Sequence, residues 1–343
     1  MTTRGPSGGP LPLPCSMPYV IPPVDGETAT VRRVSTVSVP GVSGASRAGR
    51  RPLPAGMTEG LLLVGHGSRS PVSEAEMQSL GDLVAAALPD VAVDIGFLEM
   101  SDPPAGPVLD RLVAHGCRRV VVLPLILLAA GHGKSDVPAV VLEGRQRHPR
   151  VDLVFGGPLG VVRELVGLLG DRVDEAGAHG LPLLVVARGT SDPDANAEAH
   201  RAARLVAEWT GAPSVHVAFT GVTWPLVPET LDVVRQLGLS RLGLAFWFLC
   251  NGRLVERARA DVAAFVARIG TEVVDAGYLG PDPRVARLVA ERYREALDGA
   301  APIYSCDTCA YRAPFPGLEE RVGQARGVGH SHLAVEHRHG HHH

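Results

Sequence analysis

A chain of 343 residues, 45% of them hydrophobic, can bury a sizeable core and is long enough for two ordinary domains plus tails. Its net charge of −3 with neutral histidines, and the lack of any basic stripe, argue against a nucleic-acid partner. No apolar run reaches the roughly 18–20 residues of a membrane span; the longest, 120–130, is broken by Pro124. Only 4% of the residues are aromatic, so the core is aliphatic, as in parallel sheets covered by helices. The sparse, odd set of cysteines, Cys15, Cys117, Cys250, Cys306 and Cys309, does not resemble a secreted disulfide framework. A cytoplasmic setting is expected.

Residues 1–56 are rich in Pro, Gly, Ser and Thr without apolar periodicity, and read as a disordered extension. The pairs Arg32-Arg33 and Arg50-Arg51 suggest a twin-arginine signal, but no apolar region follows either. Met57, directly before TEGLLLVGHGS, would also serve as a start.

Beyond it the pattern alternates. Strands are expected at 61–64, 91–98, 119–128 and 151–155, and helices at 73–87, 107–115, 137–148 and 161–176. Ser73 and Glu76 have the spacing of a capping box. Strand and helix in alternation imply a parallel sheet with right-handed crossovers.

The chain then repeats itself. LLVVARGTS at 183–191 echoes LLLVGHGSR at 61–69, Phe219–Pro225 echoes Phe97–Pro103, and 242–252 echoes 120–131. The expected fold is therefore α/β, with two similar lobes, each a parallel sheet flanked by helices, and a cleft between them. Residues 57–178 form the first lobe, 179–300 its copy and 301–343 a tail.

The copy is imperfect in an informative way. His66, Glu99 and His132 each follow a strand of the first lobe, where a parallel sheet places its ligands. Their counterparts are Arg188, Gly221 and, with one residue of slack, Arg253. All three titratable groups are lost while the strands persist, which suggests one working lobe and one supporting lobe. Two imidazoles and a carboxylate can bind a divalent transition metal or accept protons near neutral pH. Three unrelated loop residues are the alternative; the glycines flanking His66 and His132 weigh against it.

Gly133-Lys134-Ser135 mimics the end of a phosphate loop, but Leu128 stands where the pattern needs glycine, so no nucleotide is expected. Cys306 and Cys309 could hold half of a metal or cluster site, form a redox disulfide, or be inert. A second thiolate pair would have to come from another subunit or from Cys117 and Cys250. His330, His332, His337, His339, His341, His342 and His343 make the end of the tail a candidate metal collector. Trp209, Trp224 and Trp247 are expected to pack rather than to meet a substrate, and His115, His148, His179, His200 and His216 to be ordinary structural or surface residues.

The motifs together resemble the class II tetrapyrrole chelatases, in the long sirohydrochlorin cobaltochelatase form. The matching residues are Gly65-His66-Gly67-Ser68-Arg69, Phe97-Leu98-Glu99 with Pro103, and Gly131-His132 with Asp136-Val137-Pro138. In the tail they are Cys306-Asp307-Thr308-Cys309, Tyr311-Arg312, Pro314, Pro316-Gly317 and Arg321-Val322-Gly323. The resemblance implies ATP-independent insertion of a divalent ion, cobalt or alternatively iron or nickel, into sirohydrochlorin. It implies His66 and His132 as metal ligands and proton acceptors, assisted by Glu99. The long form also implies a 4Fe-4S cluster near the CxxC pair, although Tyr304 stands where its motif has Met. Sirohydrochlorin is rich in carboxylates, for which Arg69, Lys134, Arg188 and Arg253 are the candidate partners. A homodimer is expected. The competing classes are iron insertion for siroheme by the same fold and a non-enzymatic metal storage or delivery protein.

Overall fold

The computed structural model describes residues 31–33, 53, 56–300, 309, 312, 314, 316–317 and 319–322. The tail histidines from His330 onward and Cys306 lie outside the described residues.

Three residues of the stretch expected to be disordered form strand β1 (Val31–Arg33). The first lobe then runs β2 (Glu59–Gly65), α1 (Pro71–Ala87), β3 (Ala92–Phe97), α2 (Ala105–Ala114), β4 (Arg119–Pro124), α3 (Val137–Arg147), β5 (Asp152–Phe155) and α4 (Arg163–Glu175). The second runs β6 (Leu183–Ala187), α5 (Pro193–Thr210), β7 (Val215–Phe219), α6 (Val227–Gln236), β8 (Arg241–Phe246), α7 (Arg253–Ile269), β9 (Glu272–Tyr278) and α8 (Pro283–Leu297).

The two sheets have strand orders β3-β2-β4-β5 and β7-β6-β8-β9, with β1 added beyond β9. All described pairs are parallel. Register repeats as well: Leu61 pairs with Val93 and Val121, and Leu183 with Val215 and Gly243. The duplication thus extends to individual hydrogen-bonded partners.

Local chemistry adjusts the expected boundaries. Ser70, not Ser73, caps α1, its side chain accepting the Ser73 amide, with Pro71 in the first turn where its missing N–H costs nothing. Glu76 is therefore not a capping-box residue; its carboxylate accepts from the Asn251 amide (2.6 Å) and the Tyr278 hydroxyl in the second lobe. Burial pushes the Glu76 carboxyl up, against those hydrogen bonds and the charge of Arg259. Strand β4 ends at Pro124 rather than at 128, because proline has no N–H for the ladder.

The two repeats pack across the boundary near residue 178. Helix α4 packs on α5, β9 and β8 of the second lobe, and α8 packs on α1, β4 and β5 of the first. One apolar cluster therefore runs from Leu61, Leu63 and Leu80 through Leu165 and Leu169 to Val185 and Val206, and on to Leu288 and Val289. Trp209 of α5 lies flat against the glycines of α4: a Cβ on Gly170 would come within 2.3 Å of its ring.

A buried ion cluster joins the lobes near the carboxyl ends of the strands. Lys134 Nζ donates to Asp192 Oδ2 (2.8 Å) and Asp194 Oδ2 (3.2 Å), and the lysine is only 2% exposed. Burial alone would lower the Lys134 pKa, but the hydrogen bond and charge of Asp192, with Asp194, raise it on balance. Asp192 uses its other oxygen to cap α5 through the Asp194 amide (3.1 Å).

Two outcomes follow. Lys134→Ala leaves buried carboxylates without their cation and should cost about 3–5 kcal/mol in urea unfolding. Leu165→Ala, in a helix of the first repeat that covers the second sheet, should cost about 2–5 kcal/mol. Its transition, followed by tryptophan fluorescence of the second lobe and by circular dichroism of the whole chain, should shift as one.

Candidate functional site

The strand order reverses around β2, so the crevice at the carboxyl ends of β2, β3 and β4 is where such a sheet receives a ligand. The chain leaving β2 lies directly on the chain leaving β3: the Leu98 amide donates to Gly65 O (3.0 Å) and the Glu99 amide to His66 O (3.1 Å). Gly67, at φ +97°, makes this approach possible, since a Cβ there would sit 1.7 Å from Glu99 O. Ser101 ties the loops further, its Oγ accepting the Ser68 amide at 2.9 Å. The second lobe keeps the scaffold without the chemistry. Gly189 at φ +78° faces Gly221 O, and the Thr220 amide donates to Ala187 O (3.0 Å).

His66, Glu99 and His132 converge. His66 Nε2 lies 3.1 Å from Glu99 Oε1, and the two imidazoles meet edge to face with ring centroids 4.4 Å apart. One donor atom from each of the three falls within 4.8 Å of the others. Among the described residues this is the one group of three His, Cys, Asp or Glu side chains so arranged. All three are partly exposed, so a small ion has access.

His132 opens a short π-helical turn, His132–Asp136, that leads into α3. The turn brings Asp136 Oδ2 to 2.5 Å from His132 Nδ1. A carboxylate on one ring nitrogen fixes the ring and leaves the other nitrogen, Nε2, for a metal or proton. Asp136 was visible in the sequence only as a motif residue; its spacing four after His132 was the available signal.

The basic candidates separate. Arg188 reaches the trio from the opposite lobe, its Nη2 2.9 Å from His66 Nε2. Arg69 and Arg253 are exposed; Gly252, beside Arg253, faces Ser68 across the lobes. Lys134 does not face the crevice. Its ammonium is committed to Asp192 and Asp194 in the buried interface, so the expectation that it holds a substrate carboxylate is corrected.

Trp247 is buried and Trp209 packs on α4, as expected. Trp224 is not: it is 67% exposed on the β7–α6 loop, next to Val222, which is 76% exposed at φ +69°. Met100, the counterpart of Val222, is also exposed and has φ +61°. The described cysteines do not gather. Cys117 precedes β4 and Cys250 follows β8, at opposite ends of their sheets, while Cys309 is buried and near enough to Lys134 to act on its charge. A separate cavity of about 370 Å³, lined by residues such as Leu127, Gly160, Glu198 and Arg292, includes none of the trio.

Among the described residues no helix is long and apolar enough to cross a membrane. Similarity to known proteins agrees with the geometry. The chain is 34% identical over 269 residues to a sirohydrochlorin cobaltochelatase of Priestia megaterium, covering 76% of this chain and 86% of the relative. It is 25% identical over 257 residues to a sirohydrochlorin ferrochelatase of Bacillus subtilis, covering 74% of this chain and 98% of that one. A crystal structure of the sirohydrochlorin chelatase SirB from Bacillus subtilis subspecies spizizenii in complex with cobalt superposes with a TM-score of 0.62 at 25% identity, over 71% of this chain and 97% of that one. SirB from Bacillus subtilis with Fe3+ gives 0.63 at 26% identity, with the same coverage. The sequence model of the CbiX family matches twice, at residues 60–176 and 182–296, once for each lobe. The chain, a tandem duplication, belongs to the CbiX family.

Proposed function

We propose that the chain inserts a divalent metal ion into sirohydrochlorin without ATP, with cobalt as the principal ion. The observation that carries this reading is the convergence of His66, Glu99 and His132 at the carboxyl edge of the first sheet, with donor atoms within 4.8 Å of one another. The donor set suits Co2+, Fe2+ and Ni2+ alike. Cobalt is preferred because the cobaltochelatase relative is the more similar of the two compared, at 34% against 25% identity. Iron insertion is the second reading, favoured by the ferrochelatase relative.

The chemistry has two requirements. The ion needs ligands that hold it and then let go; two imidazoles and one carboxylate form such an incomplete set. The macrocycle must lose two pyrrole protons as the ion enters, and the same three side chains can accept them near neutral pH. In this reading His132, its Nδ1 engaged by Asp136, presents Nε2, while His66 and Glu99 supply the remaining donor and base. Met100, Val222 and Trp224 offer apolar contact to the ring face, and Arg69 and Arg253 offer charge to its carboxylates. In this reading Cys306, Cys309 and the tail histidines gather metal or a cluster, in a cytoplasmic enzyme.

The decisive measurement is anaerobic, ATP-free conversion of sirohydrochlorin followed by visible absorbance, with cobalt, iron and nickel in parallel. The wild type should far exceed the spontaneous rate. His132→Ala should lose about 100-fold or more, the scale of a lost proton acceptor. Trp224→Ala should raise KM several-fold with little change in kcat, the signature of lost ring contact. If no ion is inserted faster than spontaneously, the enzyme reading fails and metal storage takes its place.

A further inference from the structure

The two lobes are copies turned face to face, so the residue that replaces His66 in the second lobe, Arg188, stands opposite His66 itself. Its Nη2 is 2.9 Å from His66 Nε2, and Glu99 Oε1 lies 3.1 Å from the same nitrogen. A guanidinium has only donors to offer, so with Nε2 unprotonated, the form a metal also needs, it donates to that lone pair, and the Glu99 carboxylate beside them faces the guanidinium charge rather than an N–H. That lone pair is the one a metal would take, at about 2.0–2.1 Å. Imidazole nitrogen has one lone pair on each unprotonated atom, and it cannot serve both cations. The triangle of distances then leaves an ion bound to Nε2 no more than about 5 Å from Nη2, with like charges facing each other in a partly dry crevice.

The backbone of Arg188 is fixed while its side chain can turn aside. Thr220 Oγ1 donates to Arg188 O (2.9 Å), and the next residue, Gly189, is held tightly against Gly221. Arg188 as a residue is exposed.

We propose that Arg188 is a built-in competitor of the metal ion: its guanidinium holds His66 Nε2 and must leave before the ion is coordinated there. The inference rests on the reading of the trio as the metal site. It gives the second lobe a role in the reaction beyond enclosing the cleft. A returning guanidinium weakens the hold on the ion, which eases transfer to a better chelator such as a tetrapyrrole.

The test is equilibrium binding of Co2+ to the full chain without tetrapyrrole, by competition with a chromophoric chelator, for the wild type, Arg188→Ala, Arg188→Met and Arg188→Lys. The tail histidines contribute the same background to every variant. Arg188→Ala and Arg188→Met should bind Co2+ at the trio at least about tenfold more tightly than wild type, and Arg188→Lys should fall between. In a His132→Ala background, removing Arg188 should change nothing. Unchanged or weaker binding by both neutral variants, or an equal gain in the His132→Ala background, overturns the proposal. Tighter Co2+ binding by a protein that metallates no tetrapyrrole would sustain it while the chelatase reading falls; metallation with unaltered affinity would do the reverse.

Discussion

The site depends on holding two lobes in register to within a side chain's reach. His66 and Arg188 belong to different sheets, yet their polar atoms are 2.9 Å apart. Apolar packing is not directional and tolerates sliding. A buried ion cluster is less tolerant, because displaced charges are left in low dielectric without compensation. Lys134, two residues after His132, meets Asp192 at 2.8 Å and Asp194 at 3.2 Å in the interface. The π-helical turn that carries His132 is thereby pinned to the opposite lobe. Glu76, bonded to the Asn251 amide and Tyr278 hydroxyl, is a second polar tie between the lobes. These contacts convert a duplicated fold into a cleft of defined width.

The functional asymmetry rests on a scaffold that is symmetric. Both lobes use a left-handed glycine to bring the first loop against the second, with φ +97° at Gly67 and +78° at Gly189. What differs is the cargo carried by that turn: histidine against arginine, glutamate against glycine. Arginine stays protonated, so the exchange turns a titratable position into a permanently cationic one. The copied half has thereby placed a charge 2.9 Å from His66 of the first.

Much of this was legible in the sequence, for identifiable reasons. The strands announced themselves as apolar runs stopped by glycine or proline. The repeat betrayed the duplication, and the three losses within it pointed to His66, Glu99 and His132. The unread parts share one cause: they depend on which partner a segment meets. The apolar face of α4 has the same periodicity whichever sheet it covers, so a boundary at residue 178 looked natural although α4 lies on the second sheet. Lys134 sits in a glycine-flanked loop that suggests exposure; its burial is decided by aspartates more than fifty positions away. Trp224 resembled any other tryptophan until its loop was seen to stand clear of the core. The Ser73–Glu76 spacing imitates a capping box, but α1 starts earlier, at Pro71, with Ser70 as its cap.

The exchange of α4 and α8 also bears on how the protein comes into being. On a ribosome the first sheet is made early, but on the face of β4 and β5 away from α3 the covering helix is α8, which ends at Leu297. Until nearly all of the second lobe has been synthesised, Val121 and Leu123 of β4 lack this cover, although α1 already lies over β3 on the same face. The nascent first lobe must therefore wait with an apolar surface open, guarded by chaperones or by transient collapse. The last helix closes both halves at once, so a truncated chain loses the integrity of the earliest-made lobe.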